Sequence, residues 1–358
     1  MITGLELPLR DDLDLLLEEL RLLLANIDVE VVAVSTQKKD RPDPAFLLGA
    51  GKVDELKILA HASEADLIVC NDLLTPIQLS NMRRKTDCEV WDRALVIMKI
   101  FERRAATAEA KLQVDLAQCR YEMPHIRGLG KQMSNAGAGI GTRGPGETEF
   151  ERHRRKLQAR IVEASRKLEE MKKRRQGQRK QRRRSGIPTV ALVGYTNSGK
   201  TTLLKRLSGD KKLYAADQLF ATLDTAVRSV RLPSGKNILM ADTVGFIREL
   251  PPELIAAFRT TLEEACQADM LLVVLDANDP DLTATYDVIQ QTLDEIGAAA
   301  LPRAVVLNKV DRSGLFRVDR IKAQLRRDGL PVCALSALTG EGVENLWGVF
   351  DWLAVRRS

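Results

Sequence analysis

Eight consecutive residues, Gly194-Tyr195-Thr196-Asn197-Ser198-Gly199-Lys200-Thr201, carry the spacing G-x-x-x-x-G-K-[ST]. That spacing suits a loop whose successive backbone N–H groups wrap a β-phosphate, with Lys200 reaching the β/γ oxygens and the Thr201 hydroxyl taking Mg²⁺. Three more segments follow in order: Asp242-Thr243-Val244-Gly245, Asn308-Lys309-Val310-Asp311 and Ser336-Ala337-Leu338. The Asp242 carboxylate can hold Mg²⁺ through water, and Gly245 lets its N–H approach a γ-phosphate with no Cβ in the way. Asp311 can accept from the N1–H and the N2 amine of guanine. Adenine offers an acceptor at N1 instead and would leave the carboxylate unpaired. The Ala337 N–H can donate to guanine O6 in the same plane. Between the loop and Asp242 lies Phe220-Ala221-Thr222-Leu223-Asp224-Thr225. There Thr222 or Thr225 could complete the Mg²⁺ shell, and residue type does not choose between them. Any one segment alone reads as a turn or a strand end. All four in order, each behind an apolar run, read as one site for a guanine nucleotide.

The residue after Gly245 adds a constraint on the chemistry. Signalling GTPases place a glutamine there to orient the attacking water, but this chain has Phe246, followed by Ile247 and Arg248. Phenylalanine cannot orient water, so hydrolysis is expected to be slow until a partner or another group supplies the missing function. Asn197, three residues before Lys200, is a candidate to help hold K⁺ beside the phosphates, a charge that other GTPases take from an arginine. The bland alternative is that its side chain bonds within the loop. Lys200 and Gly245 are the residues expected to act on the reacting phosphate, together with whichever of Thr222 and Thr225 completes the Mg²⁺ shell.

These groups need elements to place them. Pro188 to Val193 reads as a buried strand and Thr202 to Leu207 as the start of a helix, the setting in which helix-terminal N–H groups favour phosphate. Asp242 follows the strand-like Asn237 to Ala241, and Asn308 follows Ala304 to Leu307. Both therefore belong at carboxyl ends of strands, where open α/β sheets place ligands. A last helix is expected over Glu341 to Val355. Nearer the start, Leu13 to Leu24, Val53 to Ala62 and Pro76 to Arg84 are helical in pattern, while Val29 to Val34 and Asp66 to Cys70 are strand-like. Gly49-Ala50-Gly51-Lys52-Val53 lacks the phosphate-loop spacing and its terminal hydroxyl, and reads as a turn before a helix.

After Trp91 the pattern changes to long helices, Ala94 to Tyr121 and Thr148 to about Arg175, joined by a glycine-rich connector over Gly128 to Gly146. A connector of that length is functional or disordered more often than it is a simple turn. Charge is concentrated here: Tyr121 to Ile187 holds 19 Lys and Arg against 7 Asp and Glu, a net +12 in a chain of +6, which leaves the remainder near −6. That is the footprint of a polyanion-binding segment, although charge runs are often only solvated faces. The candidate RNA contacts are Lys131, Arg143, Lys172, Lys173, Arg174, Arg175, Arg179, Lys180, Arg182, Arg183 and Arg184. Aromatics are sparse among them, so phosphate contact and shape are expected to dominate over base stacking. The 358 residues suggest two or three domains. Five scattered cysteines and three histidines are expected to form neither a disulfide framework nor a zinc site. No uninterrupted apolar stretch is long enough to span a bilayer and Met1 to Glu6 is unlike an export signal, so a cytoplasmic protein is expected.

The whole chain resembles the HflX family of ribosome-associated GTPases. The resemblance is carried by Phe46-Leu47-Leu48-Gly49-Ala50-Gly51-Lys52-Val53-Asp54-Glu55-Leu56, by Lys111 to Gln118, and by Gly141-Thr142-Arg143-Gly144-Pro145-Gly146-Glu147-Thr148-Glu149. It continues through Phe220 to Asp224 and Ala241-Asp242-Thr243-Val244-Gly245-Phe246-Ile247-Arg248. It implies an α/β fold in three parts: an N-terminal α/β subdomain over 1–92, a coiled-coil-like helical hairpin with a glycine-rich tip and basic linker over 93–186, and a P-loop GTPase domain over 187–358. By the family pattern, Thr201 and Thr222 are the Mg²⁺ ligands. The resemblance further implies binding to the large ribosomal subunit with its rRNA, and the splitting or rescue of stalled ribosomes under stress. The expected partners are GTP, GDP and that subunit, and the protein is expected to be a monomer. A large-subunit assembly factor, or an RNA-binding scaffold with a structural nucleotide, are the alternatives.

Overall fold

The fold is taken from a computed structural model, which describes residues 1–8, 12–136, 145–184, 186–210, 220, 226–248, 266–326 and 329–356. Its described residues form two compact units, one of residues 1–103 and 111–168, the other of 104–110, 169–248 and 266 onward.

The first unit opens with β1 (Ile2–Glu6), α1 (Leu13–Ala25), β2 (Val34–Lys38), α2 (Ala50–Ala62), β3 (Leu67–Cys70), α3 (Pro76–Thr86) and β4 (Glu89–Asp92). The strands form a parallel sheet in the order β2-β1-β3-β4. Helix α1 forms because Leu13, Leu16, Leu17, Leu20, Leu23 and Leu24 fall on one stripe, and all six are buried. Helix α3 starts at a capping box of Thr75 and Gln78 with Pro76 in its first turn. Helix α2 begins behind Gly49, whose N–H donates to Gln37 Oε1 at 2.7 Å. The strand expected over Val29 to Val34 is displaced to Val34–Lys38. A strand needs a partner, and β1 begins at Ile2, which pairs with Val34. Upstream of Val34, Ala33 reaches β1 through its carbonyl, which accepts from the Ile2 N–H at 2.9 Å.

Three helices follow: α4 (Arg93–Arg104), α5 (Ala108–Ala136) and α6 (Pro145–Arg184). The single helix expected over Ala94 to Tyr121 is therefore two. The break has a local cause, since the Thr107 hydroxyl accepts from the Ala110 N–H at 3.1 Å and starts a new helix. The connector expected over Gly128 to Gly146 is also much reduced, because α5 runs on to Ala136 and α6 starts at Pro145. Two interior glycines cost a helix only about 1 kcal/mol each, and proline suits a first turn. The basic stretch Lys172 to Arg184, expected as a linker, is the end of α6. Lys, Arg and Gln are good helix formers. Helices α5 and α6 pack through Cys119, Ile126 and Leu157, flanked by Met123 and Ile161, with an ion pair from Arg160 to Asp115 and a polar contact between His153 Nε2 and Glu122 Oε1 at 3.0 Å.

The second unit contains β5 (Thr189–Gly194), α7 (Lys200–Ser208), β6 (Ala226–Arg231), β7 (Asn237–Asp242), β8 (Met270–Asp276), α8 (Leu282–Glu295), β9 (Arg303–Asn308), α9 (Leu315–Arg326), β10 (Val332–Ala334) and α10 (Asn345–Arg356). The sheet order is β10-β9-β8-β5-β7-β6, and only β6 runs antiparallel. Alternate residues of β5 enter opposite cores, Val190 and Leu192 on one face and Ala191 and Val193 on the other. A strand buried on both faces reads as a continuous apolar run, which is why β5, β7 and β9 are visible in sequence. The last helix starts at Asn345, later than Glu341, because Gly342 holds φ +72° in the turn before it. Among the described residues no helix is long and apolar enough to cross a membrane.

Candidate guanine nucleotide site

The carboxyl ends of β5, β7 and β9 and the segment after β10 bring the four motifs to one edge of the sheet. The loop Gly194 to Thr201 connects β5 to α7, and Lys200 and Thr201 open the helix. Gly199 is required on two counts: it holds φ +93°, and a Cβ there would collide with Asn308 Nδ2. Buried Lys200 donates to the carbonyls of Gly194 at 3.0 Å and Tyr195 at 2.8 Å. Burial lowers its pKa to about 8, and Asp242 pulls the other way. The buried hydroxyls of Thr196 and Ser198 find no acceptor among the described residues, and donors of that kind suit phosphate oxygens. Asn197 is exposed at φ +60°.

The Asp242 end is fastened to this loop by main chain. Phe246 donates its N–H to the Gly194 carbonyl at 3.0 Å and accepts from the Thr196 N–H at 2.8 Å. Gly245 passes so close that a Cβ would stand 2.7 Å from Thr196 Cα. The Phe246 ring is 1% exposed inside one of the two cores. Thr243 points inward, donating to the Leu192 carbonyl at 2.7 Å, and Val244 is buried. The Thr201 hydroxyl donates to Asp242 Oδ2 at 2.6 Å. A hydroxyl and a carboxylate oxygen in contact are the hard donor set that Mg²⁺ takes alongside phosphate and water, so the residues present fit that ion. Phe220, at φ +55°, is buried. Ala221, Thr222, Leu223, Asp224 and Thr225 lie outside the described residues.

On the base side, Asn308 ties the motifs together. Its Nδ2 donates to the Ser198 carbonyl at 2.8 Å and its Oδ1 accepts from the Ala337 N–H at 2.9 Å. The Ala337 N–H, expected to serve guanine O6, is thus engaged by Asn308. Lys309, at φ +62°, pairs with Asp276 at 2.8 Å, while Asp311 is exposed in a short 3-10 turn, Val310–Arg312. Ser336 is buried, with its Oγ accepting from the Thr339 N–H at 3.1 Å, and Leu338 is exposed. Sequence reading missed Asp276 and Asn278 at the end of β8. Asn278 donates to the Lys309 carbonyl at 3.1 Å and accepts from Ser313 Oγ at 2.8 Å. Their signal is an Asp-Ala-Asn run directly behind a wholly apolar strand.

Of the basic residues singled out for RNA, those from Lys172 to Arg184 lie on α6 and Lys131 on α5, while Arg143 lies outside the described residues. Lys173 and Arg174 are exposed. For Lys131, Arg175, Arg179, Lys180, Arg182, Arg183 and Arg184 only the helical backbone is described.

A phosphate loop, an Asp-x-x-Gly turn and a base-side Asn-Lys-x-Asp on a sheet of this order define a guanine-nucleotide-binding P-loop domain. Three family profiles match in succession: "GTP-binding GTPase N-terminal" over 15–102, "GTP-binding GTPase Middle Region" over 104–182 and "50S ribosome-binding GTPase" over 189–309. The chain is 46% identical to the GTPase HflX of Caldanaerobacter subterraneus over 82% of its own length and 69% of that protein's. It is 40% identical to the GTPase HflX of Escherichia coli over 92% and 77%. The chain belongs to the HflX family of GTPases. A crystal structure of SsGBP with GDP superposes with TM-score 0.54 at 26% identity, covering 99% of this chain and 98% of that one. A GTP-binding protein from Sulfolobus solfataricus in complex with GDP gives 0.50 at 26%, with both chains fully covered.

Proposed function

We propose that this chain hydrolyses GTP to GDP and phosphate, and that its GTP form binds the large ribosomal subunit to split or rescue stalled ribosomes under stress. The observation that carries the ribosome-dependent part is Phe246. The phosphate loop, the Asp242 turn and the base-side motif converge at one edge of the sheet, yet the side chain after Gly245 is locked in the core, so in this reading the water-orienting group comes from elsewhere. Support for a ribosomal source comes from the family description of residues 189–309 as a 50S ribosome-binding GTPase and from the net charge of +12 over Tyr121 to Ile187.

In this reading Lys200 and the loop N–H groups hold the β- and γ-phosphates, the Gly245 N–H faces the γ-phosphate, and Asp311 reads the guanine edge. Thr201 and Thr222 would hold Mg²⁺, with Asp242 reaching it through water, and the ion would supply positive charge against the phosphates. Asn197 helps to seat K⁺. Residues 187–358 act as the switch, 93–186 carry the rRNA contacts, 1–92 form the N-terminal subdomain, and the protein works as a monomer.

The test is GTP hydrolysis by the protein alone, with small subunits and with large subunits, each in K⁺ and in Na⁺. Stimulation by large subunits is expected, and no stimulation by either subunit sinks the ribosomal reading. Equal rates in the two salts remove the K⁺ role alone. Base selection is checked separately: Asp311→Asn should weaken GTP binding and improve that of xanthosine triphosphate, whose C2 oxygen accepts from an amide.

A further inference from the structure

Arg206 lies in the last turn of α7, on the helix that begins at the phosphates, but its side chain is committed to the base side of the site. Nε donates to the Ala337 carbonyl at 2.6 Å and Nη2 donates to the Leu338 carbonyl. Two bonds from one rigid guanidinium to consecutive carbonyls fix the two peptide planes that contain them. The loop is moulded around this group: Gly340 holds φ +98°, and a Cβ there would stand 2.6 Å from Arg206 Nη1. In a trans peptide the C=O and N–H point in opposite directions, so holding the Ala337 oxygen turns the Leu338 N–H away from α7. The amides on either side are spent, Ala337 on Asn308 Oδ1 at 2.9 Å and Thr339 on Ser336 Oγ at 3.1 Å. The Leu338 N–H donates to no described residue.

We propose that Arg206 is a positioning residue for base selection, clamping the Ala337 and Leu338 carbonyls so that the Leu338 N–H is presented to guanine O6. This rests on the site being one for guanine nucleotides. A fixed donor there accepts guanine and opposes adenine, whose amine at the same ring position is also a donor. The clamp also makes base reading depend on the helix that carries the phosphate loop.

The experiment uses the full chain and three nucleotides: GDP, 6-thio-GDP (whose sulfur is a poor acceptor) and IDP (which keeps O6 but lacks the N2 amine). Wild-type protein should favour GDP over 6-thio-GDP by about tenfold, the worth of one good hydrogen bond. In Arg206→Met, GDP affinity should fall by about that factor and the 6-thio-GDP to GDP ratio collapse towards one, while the IDP to GDP ratio set by Asp311 stays. An equal loss for all three nucleotides would mean a merely structural arginine and overturn the proposal. So would unchanged GDP binding in the variant, or no discrimination against 6-thio-GDP by wild type. Arg206→Lys can reach one carbonyl at a time and should give an intermediate ratio. If the Met variant does not fold, as judged by circular dichroism, the Lys ratio decides, and a wild-type value there overturns the proposal. Failure of wild type to prefer GDP over ADP would instead overturn the guanine reading beneath it.

Discussion

Phe246 and Lys200 show how much of this site depends on surroundings that residue type does not reveal. Restoring a glutamine by Phe246→Gln looks like a way to quicken hydrolysis, but the position faces a core, with Ala191, Val193 and Leu271 in the same buried cluster. A buried amide with no partner, in place of an aromatic ring, should cost about 3 kcal/mol or more. The expected result is a lower melting temperature and no gain in single-turnover hydrolysis without ribosomes. A faster basal rate would show that the side chain can leave the core. Lys200 makes a prediction about pH. Its pKa is lowered from 10.5 to about 8 because burial disfavours its charge. Between those values the unfolded chain holds a proton that the folded one does not, so this group's contribution to stability rises with pH through that window and is least below it. Bound phosphate favours the charged ammonium, so binding GDP above pH 8 should take up a proton. GDP affinity should therefore fall with rising pH, by up to about tenfold per unit above 8, while changing little below. A flat profile from pH 7.5 to 9.5 by calorimetry would contradict this.

Elements were legible where their signal was local. Strand, loop and helix around Gly194 to Thr201 follow from an apolar run, a glycine spacing and a helical pattern, and β7 and β9 were read in the same way. What failed depended on partners distant in sequence. Val29 to Ala33 have strand composition but lie upstream of the register with β1, and β1 itself, Ile2–Glu6, is too short to announce a period. The helix ends near Gly128 and Gly146 differ from the expected connector because long helices carry a few glycines at modest cost, so a glycine-rich stretch does not mark where a helix stops. Within the site, the motifs were visible but the Asn308 bridge from Ser198 to Ala337 was not, since it joins residues 110 and 29 positions away. The α5 and α6 pairing yields a prediction at this scale. Leu157, 2% exposed, packs with Cys119 and Ile126, and Leu157→Ala should cost about 2–4 kcal/mol. Hydrogen exchange in α5 and α6 should speed up while GDP affinity stays at the wild-type value. A parallel loss of GDP affinity would show that the nucleotide site relies on this packing.

For the molecule as a whole, the distribution of charge decides which part can meet RNA. The chain carries +6, yet Tyr121 to Ile187 carries +12 and the remainder about −6. A polyanion is therefore attracted to one region and repelled by the rest, which orients an encounter as well as strengthening it. The same argument fixes its salt dependence, because each phosphate neutralised releases condensed counterions and adds about 0.7–0.9 to the slope of log affinity against log salt. Replacing Lys172, Lys173, Arg174 and Arg175 by glutamine keeps good helix formers in α6 and removes four positive charges. If all four meet rRNA, the slope for large-subunit binding should fall by about 3 and affinity should weaken most at low salt. GDP affinity should not change, since none of the four belongs to the nucleotide site. Measured with a non-hydrolysable GTP analogue and again with GDP, the slope should drop in both, with the analogue form tighter throughout, because the nucleotide sets how much of the protein engages rather than how α6 is charged. An unaltered slope would make the basic end of α6 a solvated helix face and move the rRNA contact elsewhere. Equal affinity of the two nucleotide forms would remove the switch while leaving the electrostatic contact in place.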